Sequence, residues 1–201
     1  MQDSQAHCFI EGLKIIETGF NLIPSESTVL FMHRTDTSTL KVVVNKFLQA
    51  NTTIEEKIKI VEFLTTYARI DQGAEHLQQE NILKSLGITQ LVQLVNQIDF
   101  YLLEAGDQEA KRNPVHVLWC HILLFVRTLN HLLMSESPEF RKTIPLQISY
   151  QWSRMQALLE FGMHLKEQRF DHKAVSLALY EELELITGII QQYFDFTDEL
   201  Y

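Results

Sequence analysis

Hydrophobic residues recur along this chain at steps of three and four positions, the spacing that places side chains on one face of a helix. The clearest case is residues 54–68, where a continuous apolar stripe follows a capping box formed by Thr53 and Glu56. The same periodicity predicts helices over residues 5–20, 40–51, 74–80, 88–103, 114–134, 146–166 and 171–194. Strict alternation is scarce, and seven Gly and four Pro are few for an all-β chain. We therefore predict an all-α fold.

Polar and helix-breaking residues predict where these helices begin and end. Residues 37–39 (Thr-Ser-Thr) offer an N-cap, residues 71–73 (Asp-Gln-Gly) mark a break, and Gly87 closes a turn. Pro114 suits the first turn of a helix, where its missing N–H costs nothing. Residues 25–36 fit either a short helix or an extended piece, and the sequence leaves that choice open.

The segment 115–134 is apolar on nearly every side, which predicts a helix in the middle of the assembly. Its polar residues argue against a membrane span, and they are His116, His121, Arg127, Asn130 and His131. We interpret it as a buried core helix.

Eight or nine helices with short polar connectors are typical of an α-solenoid of stacked antiparallel helix pairs, of the HEAT or armadillo-like kind. A four-helix bundle would account for only half of the predicted helices. Composition, with 46% hydrophobic residues, suits one elongated helical domain or at most two small ones. We predict a single solenoid segment over residues 1–201.

A partner-binding surface is predicted beside the helix at 146–166. Tyr150 and Phe161 extend its apolar arc beyond what one neighbour covers. A groove there would accept an amphipathic helix of a partner. Packing of both side chains in the core is the alternative.

Charge and cysteine content exclude other classes of function. The net charge of −9, without a concentrated basic stripe, disfavours nucleic-acid binding. Cys8 and Cys120 are too few and too far apart for a disulfide framework, which favours a reducing compartment. The first apolar cluster lacks a preceding basic region, so we expect no signal peptide.

Catalytic chemistry has one candidate cluster in the sequence, on the helix at 114–134. His116 and Cys120 are four residues apart and project together, whereas His121 points about 100 degrees away from Cys120. Zinc needs three or four converging ligands, so we interpret Cys120 as a buried structural residue and predict no catalytic residue, metal or cofactor. A helical metalloenzyme that uses His116, Cys120 and His131 is the alternative from another class.

Acidic residues near the C-terminus lie opposite an apolar stripe, which predicts a solvated face or an acidic partner-binding surface. They are Glu181, Glu182, Glu184, Asp195, Asp198 and Glu199.

Three segments resemble the C-terminal α-solenoid of the large inner-ring scaffold nucleoporins of the nuclear pore complex. Residues 62–74 (EFLTTYARIDQGA), with the turn at 83–88, resemble a repeat of that family. Residues 113–120 (NPVHVLWC) resemble its Pro-started long helix, and residues 154–158 (RMQAL) resemble the start of the next repeat. The similarity extends over about residues 54–194 and consists mostly of an apolar pattern.

The resemblance implies a structural, non-enzymatic role at the nuclear pore complex in the nuclear envelope. It implies that the chain is part of a longer one, supports nucleocytoplasmic transport of protein and mRNA, and binds linker and channel nucleoporins as helical or extended segments. It carries over no catalytic residue. The alternative function is a cytosolic armadillo or HEAT-like adaptor in trafficking or signalling, which would share the fold.

Overall fold

The computed structural model describes residues 8–16, 18, 37–82, 86–97, 113–136, 154–157, 160 and 177–198. Within these ranges the chain forms helices and turns and no strand, which confirms the all-α prediction. The chain divides into two compact units, Met1–Gly87 and Ile88–Tyr201. The organisation as a single solenoid segment stays a prediction.

The first unit contains α1 (Thr37–Leu48), α2 (Ile54–Ala68) and α3 (Asp71–Gln79), and residues 8–16 are also helical. A short connector folds α2 back on α1. Lys57 Nζ lies 5.2 Å from the centre of the Phe47 ring, and Lys46 Nζ lies 3.5 Å from Glu56 Oε1. The predicted N-cap residues 37–39 lie inside α1, which begins at Thr37.

The capping box of α2 is present as predicted. Glu56 N donates to Thr53 Oγ1 at 3.2 Å, and Thr53 N donates to Glu56 Oε2 at 2.7 Å. Both bonds satisfy backbone donors that a helix N-terminus otherwise leaves unpaired. The buried side of α2 supplies much of the core of this unit, with Ile60, Val61, Phe63, Leu64, Tyr67 and Ala68.

Replacing Thr53 by alanine should lower the free energy of unfolding by about 1 kcal/mol, because the cap then loses its side-chain acceptor. Thr53→Ser keeps the hydroxyl and is the matched control. Thermal melts followed by circular dichroism, together with amide exchange in the first turn of α2, measure the difference. Equal stability of the two variants would show that the box contributes nothing.

The predicted break at residues 71–73 lies two residues earlier in the structure, because α2 ends at Ala68 and the chain bends at Arg69 and Ile70. Helix α3 begins at Asp71, so Gly73 lies in its first turn, and Ile70 precedes it in extended geometry without a side-chain cap. Ala74 and Leu77 are fully buried, and burial of this face outweighs the weak helix propensity of glycine. The chain turns again at Asn81 and Gly87, whose φ angles of 49° and 63° are left-handed. Gly87 therefore ends its turn as predicted.

The second unit contains α4 (Ile88–Asn96), α5 (Pro114–Glu136) and α6 (Leu177–Asp198), and residues 154–157 and 160 are also helical. Pro114 opens α5 as predicted, and Asn113 Oδ1 caps it by accepting from Val115 N at 2.9 Å. Helix α5 contacts both α4 and α6. It is buried on several sides, through Leu118, Trp119, Ile122, Leu123, Phe125, Val126 and Leu129. The prediction of a central helix is confirmed for this unit.

Helices α5 and α6 run in the same direction. His116 near the start of α5 bonds to Glu182 near the start of α6. Further along, Gln192 Nε2 donates to the Arg127 carbonyl at 3.3 Å. A Cβ added at Gly188 would lie 3.0 Å from the Arg127 guanidinium, so the glycine allows this close approach.

Several predictions fall on residues outside the described ranges. They concern Tyr150 and Phe161 with the groove beside them, and residues 25–36. Among the described helices, none has the length and apolar character needed to cross a bilayer, in keeping with the interpretation of residues 115–134.

Candidate functional site

A buried carboxylate, Glu182 on α6, lies at the centre of the second unit. Its Oε1 accepts from Trp119 Nε1 at 2.8 Å and from Arg154 Nε at 2.7 Å. Its Oε2 accepts from Arg154 Nη2 at 2.9 Å and lies 2.8 Å from His116 Nε2. We call Glu182, Arg154, His116 and Trp119 the Glu182 cluster.

The cluster is closed to solvent and connects every described helical segment of the second unit. Glu182, Arg154 and Trp119 are 0% exposed, and His116 is 2% exposed. Arg154 also donates from Nη1 to the Val95 carbonyl of α4 at 3.2 Å. A buried charge is tolerated only when it is paired and hydrogen-bonded, and the carboxylate here meets both conditions. The cluster therefore fixes how α4, α5, α6 and residues 154–157 pack.

Electrostatics keep Glu182 ionised. Burial by itself would raise the pKa of this carboxyl. The hydrogen bonds from His116 and Arg154, together with the positive charge of Arg154 and of protonated His116, outweigh burial and lower the pKa from 4.5 to about 2. The bidentate guanidinium is the geometry that best compensates a carboxylate.

This lowered pKa predicts a loss of stability in acid. Unfolded Glu182 binds a proton more readily than folded Glu182, so its contribution is complete above about pH 4.5 and is lost as the pH falls toward about 2. The difference between the pKa of unfolded Glu182 and that of folded Glu182 corresponds to about 3 kcal/mol in the free energy of unfolding. Urea unfolding between about pH 6 and about pH 3 tests this, with tryptophan fluorescence as the probe. Both tryptophans of the chain, Trp119 and Trp152, belong to the second unit.

Glu182→Gln is the control for the acid prediction, because it removes the titrating group and keeps the shape of the side chain. The stability of this variant should depend less steeply on pH over that range. Parallel pH curves for the parent and the variant would contradict the assignment of the acid loss to Glu182.

The sequence-predicted pair of His116 and Cys120 does come together. Cys120 Sγ lies 3.8 Å from His116 Nδ1, and both residues line an open groove of about 270 Å³ between α5 and α6. The other lining residues are Val117, His121, Leu124, Glu181, Glu184 and Leu185. Across the described ranges, no group of three or more His, Cys, Asp or Glu side chains is placed to hold a metal ion. His131 is exposed on α5, and nothing places it in this groove.

The prediction that Glu182 belongs to a solvated acidic face is wrong. Glu184 is exposed and Glu181 is partly exposed, but Glu182 is buried. Its burial follows from helix geometry, because Glu182 lies three residues after Leu179 and four before Ile186, on the buried side of α6. The neighbouring apolar residue, Leu183, is 42% exposed.

Sequence reasoning missed the roles of Arg154 and Glu182. A charged residue at an apolar position of a periodic stripe was the available signal, and Glu182 fits that position as well as Leu183 does. Its partners could not be read from the sequence, because Arg154 is 28 residues away and His116 is 66 residues away.

Comparison with known proteins gives no match. No protein family, no curated protein and no solved structure matches the chain at a significant level. A functional assignment therefore rests on the chain's own sequence pattern and on the geometry of its residues.

Proposed function

We propose that this chain is an α-solenoid scaffold segment of the nuclear pore complex, which binds other nucleoporins and catalyses no reaction. The observation that carries the scaffold assignment is the parallel packing of α5 and α6. The helical residues 154–157 and 160 lie between these helices in sequence. Equivalent helices of successive repeats in a solenoid have this relationship, because each pair stacks on the next in the same orientation.

The Glu182 cluster supports a structural role. Both carboxylate oxygens of Glu182 accept hydrogen bonds from other side chains of the cluster. Because all four side chains are only 0–2% exposed, no substrate can reach the carboxylate. A cluster that joins four helical segments gives the second unit one defined packing arrangement. A scaffold needs such rigidity, because partners must be held in fixed positions.

The location at the nuclear pore rests on the sequence resemblance. Three members of the Glu182 cluster lie in the resembling segments, His116 and Trp119 within residues 113–120 and Arg154 within residues 154–158. Partners on this proposal are linker and channel nucleoporins that bind as helical or extended segments.

The test is the location of the protein in its own cells. A fluorescent tag on the endogenous protein should give a punctate nuclear rim that coincides with a nuclear pore marker, and affinity purification should recover other nucleoporins. Diffuse cytosolic signal with trafficking or signalling partners would replace this proposal with the cytosolic adaptor.

A matched pair of variants connects this location to the fold. Glu182→Ala disrupts the buried cluster and should reduce the rim signal, whereas Glu184→Gln changes an exposed glutamate two residues away and should leave it intact. Equal loss of the rim signal in both variants would show that the location depends on surface charge rather than on the packing of the second unit.

A further inference from the structure

Cys120, His116 and Glu182 form a continuous chain of contacts. Cys120 Sγ lies 3.8 Å from His116 Nδ1, and His116 Nε2 lies 2.8 Å from Glu182 Oε2. An ionised carboxylate only accepts hydrogen bonds, so Nε2 carries the hydrogen that Glu182 receives. In the neutral imidazole the other nitrogen is then unprotonated. The neutral form of His116 therefore presents the lone pair of Nδ1 to the thiol of Cys120.

The arrangement has the three parts of an activated nucleophile. It has a thiol, a base within reach of the thiol, and a carboxylate that orients the base. The carboxylate is itself fixed by Arg154 and Trp119, so the imidazole cannot turn away without breaking a buried hydrogen bond. When His116 takes the thiol proton, the imidazolium keeps its bond to the Glu182 carboxylate.

The thiol is accessible from the groove between α5 and α6. Cys120 is 8% exposed and lines this groove, whose volume of about 270 Å³ is large compared with a molecule of a few atoms. The nucleophile is therefore closed to a protein substrate but open to a small reagent.

We propose that Cys120 is a modification site, where hydrogen peroxide oxidises the thiol to a sulfenic acid with His116 as the base. Nδ1 takes the thiol proton, and the thiolate attacks one peroxide oxygen. The S–O bond forms as the O–O bond breaks, and the leaving hydroxide takes the proton back from Nδ1 and becomes water. Sulfur is oxidised and peroxide is reduced, so one thiol and one hydrogen peroxide give one sulfenic acid and one water.

Charges around the thiol come from both helices that line the groove. Helix α5 contributes His116 and His121, and α6 contributes Glu181 and Glu184. The charge of Glu182 is compensated by Arg154, and α4 carries no charged residue. Once protonated, His116 is a cation 3.8 Å from the sulfur, and such a contact stabilises a thiolate.

The second cysteine of the chain supplies an internal reference. Cys8 is exposed, and the chain has two cysteines in all. Cys8→Ser therefore isolates Cys120, and Cys120→Ser isolates Cys8. Each protein is treated with hydrogen peroxide, and the sulfenic acid is trapped with dimedone and quantified by mass spectrometry. General base catalysis contributes roughly 10²–10⁴-fold, so Cys120 should react at least about tenfold faster than the exposed Cys8.

Removing the base should abolish this advantage. Addition of His116→Gln to the Cys8→Ser protein should slow sulfenic acid formation at least about tenfold. Addition of Glu160→Gln, at an exposed glutamate of the same unit that does not line the groove, should leave the rate within about twofold. Circular dichroism and tryptophan fluorescence establish that the His116→Gln protein is folded. If it is not, the comparison of Cys120 with Cys8 in the native chain decides the question. A Cys120 rate no higher than that of Cys8, or a rate that follows global unfolding in urea, overturns the proposal.

Discussion

Replacing Glu182 by alanine should lower the free energy of unfolding of the second unit by about 3–5 kcal/mol, because it leaves a buried guanidinium without its counter-ion. Arg154, His116 and Trp119 lose the acceptor that receives their hydrogen bonds, and these side chains are 0–2% exposed. Water cannot replace the carboxylate without opening the packing. Urea unfolding followed by tryptophan fluorescence measures the loss, because both tryptophans lie in this unit.

Glu184→Gln is the control for this prediction, since Glu184 lies on the same helix and is exposed. Surface substitutions of this kind usually change stability by less than about 0.5 kcal/mol. A Glu182→Ala protein with the unfolding midpoint of the Glu184→Gln protein would show that the cluster is not a stability determinant. The central place given to Glu182 in the second unit would then be wrong.

Local features of the fold were predictable from the sequence. The capping box at Thr53 and Glu56 and the start of α5 at Pro114 each depend on residues no more than three positions apart. Interactions over so short a range can be predicted directly from the spacing of the residues in the sequence. The burial of α5 on several sides was also predictable, because an apolar residue on every face of a helix has no stable place in water.

Long-range features were not predictable, for a physical reason. Glu182 is polar by residue type, and a periodicity argument assigns polar residues to solvent. Its burial depends on Arg154, His116 and Trp119, which come from two other segments of the chain. A single sequence does not predict which charged side chains are in contact in the folded state. The helical position of residues 71–73 was missed for a related reason, because the burial of Ala74 and Leu77 decides it.

The Glu182 cluster contributes more to the choice of one helix packing arrangement than to the net stability of the second unit. Buried ion pairs recover much of their desolvation cost. They seldom make the folded protein more stable than an apolar replacement of the same volume would. An arginine that reaches α4 and α6 at once, through the Val95 carbonyl and the Glu182 carboxylate, tolerates only one register of these segments. We infer that the cluster selects one packing of the second unit over alternatives in which the apolar stripes of the helices would pair equally well.

Trp119 tests packing and hydrogen bonding separately, because its ring is 0% exposed and its Nε1 donates to Glu182 Oε1 at 2.8 Å. Trp119→Ala should cost about 3–5 kcal/mol, through the lost apolar contacts and the cavity left behind. Trp119→Phe retains an aromatic ring and loses the donor. Since Glu182 Oε1 keeps its bond from Arg154 Nε at 2.7 Å, the loss of the indole donor alone should cost only about 1 kcal/mol.

Urea unfolding followed by far-ultraviolet circular dichroism compares the two Trp119 variants with the parent, because the fluorescent probe itself is altered. Helix α5 contacts both α4 and α6, so the alanine variant should lower the unfolding midpoint of the second unit as a whole rather than fray one helix. A midpoint for Trp119→Ala equal to that of the parent would show that α5 is peripheral. A Trp119→Phe protein as unstable as Trp119→Ala would instead make the hydrogen bond to Glu182, and not the packing of the ring, the main contribution of this residue.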